Sequence, residues 1–222
     1  MPFLRTCSAA LLPLLLVGCQ VYTGQPASPP ADVRLQGELS VEQGQLFLKP
    51  CDEQRRFRLI DAGAGNLARE VARLGGDTGI PLFADLKGQL GTDPQGGEGQ
   101  FMASQIYRLQ MEGNGCNDAN FPMLSVRASG NEPFWSLDIS PHGLVLTRPD
   151  HAPLALPYLE ERLPDDRLHL SSEANDLRLS LWLTPQRCID DMSGAVRHLS
   201  AELRLGEQRF IGCAYHGGAY ED

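Results

Sequence analysis

Leu177-Arg-Leu-Ser-Leu-Trp-Leu183 alternates apolar and polar residues without a break, and that period of two decides the fold class. In a strand, Leu177, Leu179, Leu181 and Leu183 share one face. Trp182 then points the other way, onto a second packed surface or to an exposed interface. Similar strand-length runs lie on both sides, between Gly, Pro, Asn and Asp breakers. They fall near Met123–Ala128, Phe134–Ile139, Leu144–Arg148, Leu154–Glu161, Arg167–Ser171, Leu199–Leu205 and Gln208–Ala214. Eight short strands at this spacing predict a small antiparallel β-barrel or sandwich over residues 114–222.

Upstream, residues 33–113 have a different rhythm. Val33-Arg-Leu-Gln-Gly-Glu-Leu39, Gln45-Leu-Phe-Leu48 and Arg56-Phe-Arg-Leu-Ile60 read as three strands, with a turn at Gly44. Asn66 caps a helix that places Leu67, Val71 and Leu74 on one face, and Gly75-Gly76 stops it. Two more strands follow, near Ile80–Leu90 and Gln100–Gln110. Three strands, a helix and two strands is the order of an OB-type barrel. The expected fold class is therefore mainly β: an OB-like α+β barrel followed by a small eight-strand antiparallel β-barrel or sandwich.

OB barrels bind nucleic acid in many settings, but this segment carries nine basic and eleven acidic residues. A basic groove with stacking aromatics is what single strands require, and neither is visible. No nucleic-acid partner is expected.

The chain opens with an apolar stretch, Ala9 to Val17, after a single charge at Arg5, and ends it with Leu16-Val17-Gly18-Cys19. The stretch is too short to span a bilayer, which needs roughly 20 residues. These residues resemble the bacterial lipoprotein signal class. The resemblance implies cleavage of residues 1–18 as signal peptide, acyl chains on Cys19, and, with Gln20 rather than Asp next, sorting to the outer membrane facing the periplasm. Several chains give stable anchoring. Residues 19–32 hold Pro26, Pro29 and Pro30 among small residues and read as a disordered tether. Loss of the leader leaves 18 basic and 28 acidic residues, an acidity that argues against polyanionic partners.

Four cysteines then remain beyond Cys19: Cys51, Cys116, Cys188 and Cys213. An even number in an exported body predicts disulfides, and four cysteines allow three connectivities. Cys51–Cys116 with Cys188–Cys213 is favoured, because each bridge then staples one of the two units. No C-x-x-C occurs, so redox exchange and thiolate metal knuckles are not expected.

The strings Gly130-Asn-Glu-Pro-Phe-Trp135, Cys188-Ile-Asp-Asp-Met-Ser193 and Phe210-Ile-Gly-Cys213 stand out. Together, over Phe121–Tyr215, they resemble an uncharacterised proteobacterial envelope lipoprotein family, distantly like the META/HslJ-like and NlpE-like lipoproteins. The resemblance implies a variable first domain joined to a small β-barrel domain and carries no reaction. Glu132, beside Phe134 and Trp135, is read either as a functional acid or as a turn residue. Asp190 and Asp191 are read either as cation ligands or as an Asx-turn. The five histidines show no zinc spacing, and no Gly-x-Ser-x-Gly elbow is present. No cofactor and no metal are expected. The leading expectation is a non-enzymatic envelope component that binds a protein or small ligand, with Glu132, Phe134, Trp135, Trp182, Asp190 and Asp191 as candidate binding residues. Two alternatives stand: a carrier of a small apolar ligand in the second barrel, and an envelope hydrolase using Glu132 or Asp190.

Overall fold

The computed structural model describes residues 31–93, 96, 99–174 and 176–220. The expected leader, the acceptor Cys19 and most of the 19–32 tether lie outside the described residues.

The first unit contains β1 (Val33–Glu42), β2 (Gln45–Pro50), β3 (Phe57–Asp61), helix α1 (Leu67–Arg73), β4 (Leu82–Gly91) and β5 (Gly99–Gln110). β1 lies between β2 and β4, β2 pairs β3, and β4 pairs β5, all antiparallel. β3 runs parallel to β5 and closes the ring. A five-strand ring with its helix between the third and fourth strands is the OB-type arrangement. Leu39, Leu48, Leu59, Leu86 and Phe101 fill it from the strands, and Leu67, Val71 and Leu74 seal one end from α1. The helix starts where the sequence predicts, because the Asn66 side chain accepts from the Arg69 amide. The preceding loop is organised by Asp61, which accepts from the Gly63, Ala64 and Leu67 amides. Burial alone would raise the Asp61 pKa, but these amides hold it below its ordinary value.

Among the described residues the second unit forms nine strands rather than the expected eight. They are β6 (Val126–Asn131), β7 (Phe134–Ser140), β8 (Gly143–Thr147), β9 (Leu154–Leu156), β10 (Leu159–Leu163), β11 (Arg167–Ala174), β12 (Leu177–Ile189), β13 (Val196–Leu205) and β14 (Gln208–His216). The extra strand arises at Pro157, which has no amide to donate and divides the predicted Leu154–Glu161 run. The predicted start at Met123 is also displaced: residues 121–123 form a 3₁₀ turn, and the strand begins at Val126. The strands are ordered β10-β11-β12-β13-β14-β6-β7-β8-β9. Among the described residues β9 and β10 do not pair, so hydrogen bonding does not close this ring into a barrel. The sheet nonetheless curls onto one core, in which Leu156 near one end joins Leu168 and Leu170 near the other. Leu179, Leu181 and Leu183 are all buried there, as their alternation requires.

The units interlock. β13 continues past β14 to pair with β5, setting Val196 opposite Leu109 and Arg197 opposite Arg108, and Val196 packs into the first core. Buried Asp85 on β4 takes a bidentate pair from Arg34, at 2.7 Å for each contact. Arg34 also donates to the His216 and Gly217 carbonyls of the second unit, at 2.6 and 3.0 Å. Arg108 is almost completely buried, its guanidinium over the rings of Phe83 and Tyr215 at 4.5 and 4.2 Å. Burial pushes its pKa down. Two disulfides complete the frame: Cys51–Cys116 ties the β2–β3 loop to the segment after β5, and Cys188–Cys213 ties β12 to β14.

Candidate functional site

Glycine explains the first of the three unusual strings. Gly130 and Trp135 are cross-strand partners around the β6–β7 turn. A Cβ on Gly130 would collide with the Ile211 carbonyl and with the Trp135 indole. Its absence lets the indole lie across β6, fully buried, with Nε1 donating to the Ile211 carbonyl at 3.4 Å. Trp135 is therefore an interior plug of the second unit and not a surface contact.

The second string folds back onto the first. Asp190 Oδ1 accepts from the Met192 amide, the Ser193 amide and the Ser193 hydroxyl, and Oδ2 accepts from Asn131 Nδ2 at 3.1 Å. This is an Asx-type turn. Burial alone would raise the Asp190 pKa, but the Ser193 and Asn131 hydrogen bonds hold it below its ordinary value. A carboxylate so committed is a poor proton donor near neutral pH. Glu132 is exposed at the turn, preceding Pro133. Gly130, Asn131, Glu132, Asp190, Asp191 and the Cys188–Cys213 bridge line one pocket of about 280 Å³. The three strings, distant in sequence, thus meet at one place. Among the described residues no group of His, Cys, Asp and Glu is arranged to hold a metal ion.

The strand registers extend this place across the sheet. Phe134 is opposite Asn131, and the β14–β6 register, continued two steps past Cys213–Ser129, brings Ile211 beside Asn131, as the Trp135 indole on the Ile211 carbonyl requires. Ile211 is opposite Glu202, and Glu202 is opposite Trp182, which is opposite His169. All face away from the core, because their strand neighbours are the buried set. The result is one outward row, Phe134–Asn131–Ile211–Glu202–Trp182–His169, with four strand spacings, roughly 19 Å, between Phe134 and Trp182. Phe134 is 47% and Ile211 57% exposed, and Met192, in the adjoining turn, is 79% exposed. Glu202 is held by Arg204 and Arg209 at 2.9 and 2.7 Å. Trp182 is half-buried, with the His169 ring stacked on it at 4.6 Å and the Arg204 guanidinium 4.9 Å from its centroid.

The structure thus gathers Glu132, Phe134, Asp190 and Asp191 at one end of a row whose other end holds Trp182, and it removes Trp135 to the core. Phe121 lies at the junction of the two units, its ring under the guanidinium groups of Arg34 and Arg108. Sequence reasoning missed Ile211 and Met192. Their signal was an apolar residue out of phase with the buried alternation of its strand or turn.

Comparisons with protein-family models, curated proteins and solved structures yield no match to this chain.

Proposed function

We propose that this protein is a non-enzymatic binding component of the bacterial envelope. It is held in the outer membrane through acyl chains on Cys19, faces the periplasm, and docks a protein partner along the outward row. The observation that carries this reading is the row itself: Phe134, Ile211 and Trp182 aligned on one face, with Met192 beside them. Exposed apolar groups collected on one face mark an interaction surface rather than scattered surface residues. The partner surface is apolar at its centre and basic at its rim, since Glu132 and Asp191 border the Phe134 end and the body is acidic overall. The commitment of Asp190 to its own turn argues against the hydrolase alternative.

The test is crosslinking in intact cells, comparing the native chain with a Phe134→Asp, Ile211→Asp double variant and with Ile80→Asp as an exposed control on the first unit. A discrete adduct lost only in the double variant supports the reading. An adduct unaffected by it, or an unacylated amino terminus on membrane-purified protein, contradicts it.

A further inference from the structure

The interior of the second unit is filled by Leu137, Leu144, Leu146, Leu181 and Leu203, each 2% exposed or less. Its outer face carries a groove instead. The pairings Leu168–Leu183, Leu170–Leu181 and Ser172–Leu179 turn the even residues of β11 and the odd residues of β12 into the core. On the outer face three cross-strand pairs follow one another: Glu173–Arg178, Ser171–Ser180 and His169–Trp182. β10 adds Leu159 beside Ser171. Two serines set between pairs of long side chains leave a depression one side chain deep. The space there measures about 570 Å³, within the range of small-molecule sites, roughly 300–1,000 Å³.

Both ridges are held in place. Arg178 meets Glu173 at 2.9 Å on one side, and the His169 ring stacks on Trp182 at 4.6 Å on the other. The floor is polar: Ser171 and Ser180 are half-buried, and among the described residues neither hydroxyl has a hydrogen-bond partner in the protein. Each hydroxyl can donate one hydrogen bond and accept others. The Glu173–Arg178 pair adds a planar acceptor beside a planar donor. The lip is apolar, with Pro157 and Leu159, the latter 77% exposed. The remaining acids nearby have neighbours of their own: Glu160 lies 3.8 Å from Arg162 and Glu161 3.6 Å from the His169 ring.

We propose that this groove binds a neutral saccharide. A sugar ring carries hydroxyls that both donate and accept along its edge, and C–H groups on its faces. The edge meets Ser171, Ser180 and the Glu173–Arg178 pair, while a face rests on Leu159. Charges that are matched within the protein offer nothing to an ionic ligand, and a hydroxyl floor disfavours a hydrocarbon, which would leave it unsatisfied. The groove borders the outward row at His169 but uses neither Phe134 nor Ile211, so it stands independently of the docking reading.

Saturation-transfer NMR titration of the purified full chain tests it, with maltotriose, cellotriose, mannotriose and chitotriose as neutral probes. Trigalacturonate and tetra-alanine serve as the charged and the non-sugar controls. At least one neutral trisaccharide is expected to bind, about tenfold or more tighter than either control. Ser171→Ala and Ser180→Ala should each weaken it about fivefold, the value of one hydrogen bond near 1 kcal/mol. Ser180→Tyr fills the depression from the solvent face of β12, where an aromatic residue suits a strand, and should abolish binding. Ser171→Tyr is the second blocking variant if Ser180→Tyr lowers the melting temperature. The Phe134→Asp, Ile211→Asp variant should bind as the native chain does. Absence of binding by all four trisaccharides overturns the proposal, as does binding that survives both blocking variants. Equal or tighter binding of trigalacturonate or tetra-alanine overturns the assignment of a neutral sugar.

Discussion

Asn131 and Asp190 lie 59 residues apart in the chain, and a single hydrogen bond of 3.1 Å from Nδ2 to Oδ2 joins the two strings that contain them. Through it the β6–β7 turn and the Asp190–Gly194 turn form one surface. Both partners are polar groups of ordinary chemistry used for positioning, which leaves recognition to the apolar groups around them.

Loss of the Asp190 side chain orphans four donors at once. Asp190→Ala is expected to destabilise the protein by about 1–3 kcal/mol, the cost of unsatisfied buried polar groups. Glu132→Ala, at an exposed turn, should stay within about 0.5 kcal/mol. Urea midpoints at neutral pH check both, and equal effects would contradict the assignment of Asp190 as the organiser.

Glu70 on α1 is buried and accepts from Arg187 of β12 at 2.6 Å and from Arg73 at 3.0 Å, so it couples the helix to the second unit. Burial alone would raise its pKa, but the two arginines hold it below its ordinary 4.5. A carboxyl that binds its proton less readily in the folded state contributes stability that is full above about pH 4.5 and is lost as pH falls through the lower folded value. Acid titration of the unfolding free energy should fall below that pH, and Glu70→Gln should flatten the fall. An unchanged acid limb in Glu70→Gln would count against the coupling.

Asp85 is fully buried beneath Arg34 and also accepts from Gln36 at 2.7 Å. Asp85→Ala leaves the Arg34 charge without its partner, and breaking a buried pair in this way costs about 3–5 kcal/mol. The lower end is expected because Arg34 keeps 21% exposure. Because Arg34 also grips the His216 and Gly217 carbonyls, amide exchange at the end of β14 should accelerate in this variant. Unchanged exchange there would mean that the grip does not depend on Asp85.

The two disulfides close loops of different length, with sequence separations of 65 and 25. On chain entropy, removing Cys51–Cys116 costs about 4 kcal/mol and removing Cys188–Cys213 about 3.5 kcal/mol. Thermal melts of the paired serine variants should therefore rank Cys51→Ser/Cys116→Ser as the less stable. The reverse ranking would show that local packing around Cys213 outweighs loop length.

The alternating Leu177–Leu183 run and the Asn66-capped helix were legible because a single residue type, repeated at a strand or helix period, records which side is buried. What alternation does not record is partner strand. The order that places β14 beside β6 and β5 beside β13 depends on contacts between residues about 85 positions apart, as in Ala128 with Ala214. For the same reason Phe134 and Trp182 could be named as candidates separately, while their alignment through Ile211 and Glu202 required the registers. Pro157 stood inside a run read as one strand, and its division of that run follows from the different partners on its two sides, β8 for Leu154–Leu156 and β11 for Leu159–Leu163.

The central claim, recognition by the outward row, is tested most directly by a photoreactive residue placed at Ile211 in cells, with the same residue at Ile80 on the first unit as control. A discrete protein adduct from Ile211, absent from Ile80 and diminished by Asp190→Ala, is the predicted result. The same adduct pattern from both positions, or none from Ile211, would contradict it.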